Sequence, residues 1–334
     1  MRNRKPTPPG AITTNAKAPL SIVIEITGQC NLRCRHCTGA RTRRAHVTLA
    51  TVKKIVDDAQ RNNVTAIRFT GGEPLLHPDL PQMLAYAKQQ KMYVLLNTNA
   101  TLVTPSWLSI FSRHIDNILV SLQGCDSASD RGLTRTSLPF SKKIRNILLL
   151  RDTVPVVRLG TVITRPLLEN FPRYAALIAK IRPHAWELFR PMSPSARRAV
   201  RLSAKGYRAL AAKLLELSQD GLNVKLANAL PFCILPDLKA ASTVMLGALS
   251  DDGHSRLVWD ARGFYKPSYF IDEDLGTSIK EAWDHPFLKK LRDPSFLPAR
   301  CRACTALEQC RGGSRAMARA VNGSYFTADP LFQP

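Results

Sequence analysis

Three cysteines fall within eight residues: Cys30, Cys34 and Cys37 of CNLRCRHC, spaced CxxxCxxC. Thiolates at that spacing suit zinc or iron-sulfur iron and not calcium or magnesium. A closed structural zinc site takes four ligands, and this motif stops at three. A cubane iron-sulfur cluster held by three thiolates keeps one iron open, and an open iron binds a substrate or cofactor. A second set lies far downstream, Cys301, Cys304 and Cys310 in CRACTALEQC, with Cys233 before it. Four thiolates close one iron-sulfur cluster or one zinc site. The remaining thiol, Cys125, reads as a small, partly buried residue and not as a ligand.

The next chemical candidate is GGEP, Gly71, Gly72, Glu73 and Pro74. Glycines let a backbone come close to a ligand, and a glutamate offsets an ammonium charge. A Gly-Gly turn before a helix accounts for the glycines, but not for the glutamate and proline beside them.

These residues need elements to hold them. Ser21 to Thr27, Ala66 to Thr70, Tyr93 to Thr98, Asn117 to Leu122, Val156 to Thr164 and Ala185 to Arg190 are short, β-branched or aromatic runs bounded by turn residues, which predicts six strands. Between them run helical periods. Leu49, Val52, Ile55, Val56 and Ala59 share one face behind a Thr48 cap, and Leu80, Leu84 and Ala87 recur behind Asp79 as a candidate N-cap. Alternating strands and helices imply a parallel sheet with its active site at the C-terminal strand ends. CNLRCRHC directly follows the first strand and GGEP the second, so both land at that end. Past about Arg190 the rhythm changes to a helix, KGYRALAAKLLELSQ, and a hairpin, RLVWDARGFYKPS, turning at Gly263.

Composition bounds the alternatives. Apolar residues are 45% of the 334 and charged residues 22%, ordinary globular proportions. The net charge of +23 points to an anionic partner or to a solvated basic surface. The densest basic stretches, Arg41 to Arg44 and Arg190 to Arg208, match no nucleic-acid module. The first eighteen residues are basic and Pro-rich without the apolar core of a secretory signal, and read as a tail. No apolar run approaches the ~18 residues of a membrane span. The expected location is therefore the cytoplasm, where the eight cysteines serve metal more than disulfides.

On these residues the chain resembles the radical S-adenosylmethionine (SAM) enzymes. CNLRCRHC matches their signature, including its place after the first strand and His36 before the last cysteine. The resemblance implies a partial (β/α)6 barrel in which Cys30, Cys34 and Cys37 hold a 4Fe-4S cluster whose open iron chelates the amino and carboxylate groups of SAM. GGEP, residues 71 to 74, stands where the family binds the methionyl amino group. Asn97, Thr98, Asn99 and Ser121 sit where relatives contact the ribose or carboxylate of SAM, and Arg135 suits the carboxylate. Gln123 and Gly124 stand where many relatives have Asp-Gly, which puts that aspartate's role in doubt here.

Cys301, Cys304 and Cys310 followed by RGGS resemble the auxiliary-cluster domain called SPASM in its long form and Twitch in its reduced form. Three ligands of the long form are missing, for Ser314, Ser268 and Phe332 stand at their positions. The resemblance implies one auxiliary 4Fe-4S cluster closed by Cys233, Cys301, Cys304 and Cys310, with zinc as the alternative. It divides the chain into a tail, 1–18, a radical SAM core, 19–200, and a linker helix with the auxiliary domain, 201–334.

The activity implied is reductive cleavage of SAM and hydrogen abstraction from a substrate C–H bond, driven by an external one-electron reductant such as flavodoxin or ferredoxin. Two features favour a small natural-product substrate such as a sugar or nucleoside. The auxiliary domain is reduced, and about twenty residues before the first strand leave no room for a leader-binding domain. The alternative is maturation of a ribosomally made peptide. Arg190, Arg197 and Arg198 are candidate contacts for an anionic substrate. A zinc-dependent nucleic-acid-binding protein explains the charge and the thiols but not GGEP or the strand-helix alternation. His114, His184, His254 and His285 are assigned no role.

Overall fold

The computed structural model describes residues 17–37, 46–192, 202–248 and 253–333. Residues 1–16 of the tail, the stretch Arg41 to Arg44, Arg197 and Arg198 lie outside the described residues. All six expected strands form: β1 (Ser21–Thr27), β2 (Ala66–Gly71), β3 (Tyr93–Thr98), β4 (Asn117–Ser121), β5 (Val156–Val162) and β6 (Ala185–Phe189). The predicted hairpin is β8 (Arg256–Asp260) and β9 (Phe264–Lys266). A further strand, β7 (Val224–Ala227), was not expected. The nine strands make one sheet in the order β7-β6-β5-β4-β3-β2-β1-β8-β9. It is parallel throughout except for the β8–β9 pair. Three strands from beyond residue 200 thus extend both edges of the barrel sheet.

Helices α1 (Leu49–Arg61), α2 (Leu80–Gln89), α3 (Pro105–His114), α4 (Ser127–Thr134), α5 (Phe140–Thr153), α6 (Arg165–Glu169) and α7 (Phe171–Ile181) alternate with β1 to β6. Thr48 caps α1 as expected, its hydroxyl accepting from the Thr51 amide at 3.1 Å. Asp79 occupies the N-cap of α2, but its side chain makes no cap bond. The later helices are α8 (Ala204–Gln219), α9 (Leu238–Val244), α10 (Ile279–Asp284), α11 (Pro286–Arg292), α12 (Ala299–Arg302), α13 (Leu307–Cys310) and α14 (Arg315–Asn322).

Side chains alternate between the two faces of each strand. Ile22, Ile24 and Ile26 of β1, Ile67 and Phe69 of β2 and Ile118 and Val120 of β4 join the apolar core under the helices. Val23, Leu95 and Val258 are buried outside that core, on the opposite face, which lines the lumen. The same face carries Glu25, Arg68, Asn97, Arg158 and Glu187, so the lumen is polar where a closed eight-stranded barrel would be packed with branched apolar residues.

Candidate radical and auxiliary sites

The thiol loop leaves β1 at the C-terminal rim and is fixed by its neighbours. The amides of Arg33 and Arg35 donate to the Thr134 and Leu133 carbonyls at 3.1 and 3.0 Å, so the C-terminus of α4 holds the loop from one side. Asn31 holds it from the other, accepting from Asn99 Nδ2 at 2.9 Å and donating to Thr101 Oγ1 at 2.8 Å. Cys30 and Cys37 are exposed and Cys34 is half-buried, with none of the eight cysteines in a disulfide. Half-buried His36 precedes Cys37 on the same loop.

GGEP packs against that loop by backbone. The Gly72 amide donates to the Thr27 carbonyl and the Glu73 amide to the Gln29 carbonyl, both at 2.7 Å. A Cβ on Gly72 would sit 2.0 Å from Gln29 O, and Gly71 at φ +137 would place one 2.2 Å from Thr27 O. The glycines are therefore required by the approach of the two rim loops to each other. Glu73 is 1% exposed, and it accepts from Thr98 Oγ1 at 2.6 Å, the Asn99 amide at 2.7 Å and the Leu75 amide at 3.2 Å. Burial holds its carboxyl above the usual range, and those three bonds pull the other way. The carboxylate expected to face an ammonium group faces β3 instead, which leaves backbone for the loop to present. Pro74 starts the 3-10 turn Pro74–Leu76 behind it.

The other rim residues divide by what they touch. Asn99 is committed to Asn31 and Thr101, and Thr98 to Glu73. Asn97 points into the lumen with its Oδ1 buried and without a hydrogen-bond partner, an acceptor suited to a ligand N–H or O–H. Ser121 ends β4 with its side chain on the lumen face. Arg135 is exposed beside the thiol loop, in the left-handed conformation (φ 55) at the C-cap of α4. Gln123 is buried and prolongs the β4–β5 pairing, its Oε1 accepting from the Val162 amide at 3.0 Å. Cys125 lies at the start of α4, its amide donating to Ser129 Oγ at 3.1 Å.

At the other site Cys233, Cys301, Cys304 and Cys310 line one cavity, with Phe332 across it. The Phe232 amide donates to Cys310 Sγ and the Gln333 amide to Cys233 Sγ, both at 3.3 Å. Burial, then the neighbouring thiols of Cys310, Cys233 and Cys304, push Cys301 up to about 11, and burial also raises Cys310. A metal bound there would displace protons from these thiols. Among the described residues, no three His, Cys, Asp or Glu side chains gather closely enough to ligate a single ion. The residues at the missing long-form positions are structural. Ser314 caps α14 by accepting from the Met317 amide at 3.2 Å, and Ser268 Oγ accepts from the Phe270 amide at 3.2 Å.

Arg190 is not available to a substrate. It is buried at the end of β6, where Nη1 and Nη2 donate to Asp329 Oδ2 and Oδ1 at 2.7 and 3.1 Å. Asp329 Oδ2 also accepts from the Ser314 amide at 2.8 Å, so the pair fastens the C-terminal segment to the barrel.

Comparison with known proteins decides what this rim belongs to. Residues 24–178 match the Radical SAM superfamily. The chain is a radical SAM enzyme. PqqA peptide cyclase of Granulibacter bethesdensis is 24% identical over 93% of this chain and 86% of its own. AdoMet-dependent heme synthase of Nitratidesulfovibrio vulgaris is 24% identical over 98% and 96%, and mycofactocin maturase MftC of Mycolicibacterium smegmatis 26% over 95% and 82%. Among solved structures, Streptococcus suis SuiB bound to precursor peptide SuiA is similar with a TM-score of 0.77, 19% identity, and coverage of 95% of this chain and 76% of that one. This radical SAM enzyme therefore shares the SuiB fold along most of its length, and the family implies a 4Fe-4S cluster and SAM. Among the described residues no helix is long and apolar enough to cross a membrane.

Proposed function

We propose that this chain is a radical SAM maturase that modifies a peptide at an unactivated C–H bond. The similarity that carries the reading is the near full-length match to PqqA peptide cyclase and to mycofactocin maturase, which favours a peptide over the small molecule expected from sequence. Cys30, Cys34 and Cys37 would hold the first cluster, on a loop kept accessible by α4 and Asn31. When bound, that cluster and SAM supply a 5′-deoxyadenosyl radical that takes a hydrogen atom from the substrate, the electron coming from an external one-electron reductant. The backbone of residues 71 to 74 would meet the methionyl group, Glu73 stiffening it from behind. Asn97 Oδ1 and Ser121 would orient the nucleoside from the lumen face, and Arg135 would face the carboxylate.

Cys233, Cys301, Cys304 and Cys310 would close one auxiliary cluster. A single zinc ion, with Zn–S near 2.3 Å, needs its thiolates within about 4 Å of one another. Four thiolates around one cavity are enough to close a cubane, and the resemblance to the auxiliary-cluster domain favours it over zinc. The two N–H···S bonds would tune its potential. A small-molecule substrate is the second reading, favoured by the heme synthase similarity over nearly the whole of both chains.

The test is anaerobic incubation with SAM, dithionite and candidate precursor peptides. The expected result is 5′-deoxyadenosine released in step with loss of hydrogen mass from a peptide. Turnover of a porphyrin or other small acid, with every peptide unchanged, would replace this reading with the second.

A further inference from the structure

The lumen holds charged groups that the rim chemistry does not use. Arg68 on β2 is level with Val23 and Leu95, three residues below Gly71 and thus roughly 10 Å beneath the rim. Arg158 on β5 and Glu187 on β6 point into the same lumen, and Tyr269, which follows β9, lies against Arg256 of that face of β8. Arg68 lies within electrostatic reach of Tyr269, Arg158, Arg256 and Glu187. Arg158 Nε donates to Asn117 Oδ1 at 2.9 Å and Nη1 to Glu187, while the Arg256 guanidinium lies 5.5 Å from the Tyr269 ring centroid.

Three donors in this group have no protein acceptor. Arg68 Nε, Arg158 Nη2 and the Tyr269 hydroxyl are buried without a hydrogen-bond partner. Arg68 makes no ion pair among the described residues; desolvation above all weighs against its charge, Arg158 and Arg256 add to that, and Tyr269 and Glu187 work against it. A guanidinium buried in a desolvated lumen without an acidic partner, as Arg68 is, is costly unless an anion joins it. Buried donors without acceptors are rare in folded proteins and ask for a partner. The geometry points to a carboxylate-binding subsite at Arg68, Arg158 and Tyr269, which anchors an acidic group of the substrate in the lumen below the radical chemistry. Guanidinium N–H groups and a phenol hydroxyl match carboxylate oxygens in charge and in donor sense. The lumen subsite deepens the reading above by giving the substrate an acidic anchor, and it rests on that reading for its link to turnover.

The subsite is testable without turnover, on anaerobically reconstituted protein lacking reductant. Succinate and an acidic peptide are titrated at constant ionic strength, and the melting temperature is followed. The wild type should gain about 4 °C at saturation over a chloride control. Arg68→Met should melt higher than wild type in chloride, because a desolvated charge is gone, and should lose the anion response. Tyr269→Phe, which keeps the ring, should weaken the response several-fold without lowering the chloride value. A wild type indifferent to both anions would overturn the subsite, as would full responses in both variants. If the peptide acts at least tenfold below succinate, the anchor is a peptide carboxylate; the reverse order makes it a small acid. An anion response without any peptide turnover removes only the peptide reading.

Discussion

Gly72 is the residue at which the two rim loops are least tolerant. Its missing side chain lets the Gln29 carbonyl sit where a Cβ would come within 2.0 Å, and backbone on both sides leaves no flexible group to yield. Gly72→Ala should therefore displace the strand end that leads into Cys30. The expected outcome is loss of about four irons per chain on anaerobic reconstitution, with helix content by circular dichroism unchanged. Full iron with normal SAM cleavage would mean that the loops separate freely. This requirement was half legible in the sequence. The GGEP letters stand out, but that the glycines serve a neighbouring loop and Glu73 serves β3 depends on contacts between segments far apart in the chain. The lumen arginines were illegible for a related reason. On a strand of period two, a lone Arg68 or Arg158 looks like the solvent face of a half-exposed sheet.

At the scale of elements, α4 matters because its last carbonyls receive the thiol loop. It is short, and a buried ion pair fixes it: Lys143 of α5 donates to Asp130 at 3.0 Å, both side chains 2% exposed. Asp130 also accepts from the Gly124 amide at 3.3 Å. Lys143→Met leaves Asp130 buried and unpaired, and denaturant unfolding should register a loss of about 3–5 kcal/mol. Adding Asp130→Asn should recover part of it, and no recovery would mean that the lysine acts through packing alone. The six strands and the α1 face were readable because apolar runs and the 3.6 period are local signals. β7 was missed because VKLA has only four residues and follows directly on a long helix. The hairpin was legible as a hairpin, but its parallel docking of β8 on β1 was not, since nothing within the hairpin specifies a partner so distant in sequence.

In the whole molecule, the C-terminal segment joins the barrel through Arg190 and Asp329 and contributes Phe332 to the four-thiol cavity. Arg190→Met should strip the bidentate partner from an aspartate that is 2% exposed, costing about 3–5 kcal/mol in stability. The same variant should lower iron retention at the C-terminal site before the N-terminal one, as followed by iron content during mild denaturation. Equal loss at both sites would contradict this separation. The basic surplus that suggested Arg190 as a substrate contact was correct as a count and silent about place: charge is a sum over the chain, whereas burial and pairing are properties of the fold.

The proposed chemistry needs two separate iron sites, and metal content tests for them most directly. Iron, sulfide and zinc should be measured anaerobically in the wild type and in a Cys30→Ala, Cys34→Ala, Cys37→Ala variant. The prediction is about eight irons per wild-type chain, falling to about four in the variant, with little zinc in either. About four irons falling to none, with zinc remaining, would make the Cys233, Cys301, Cys304 and Cys310 site a zinc staple. Zinc at both sites and no iron would contradict radical chemistry in this protein altogether.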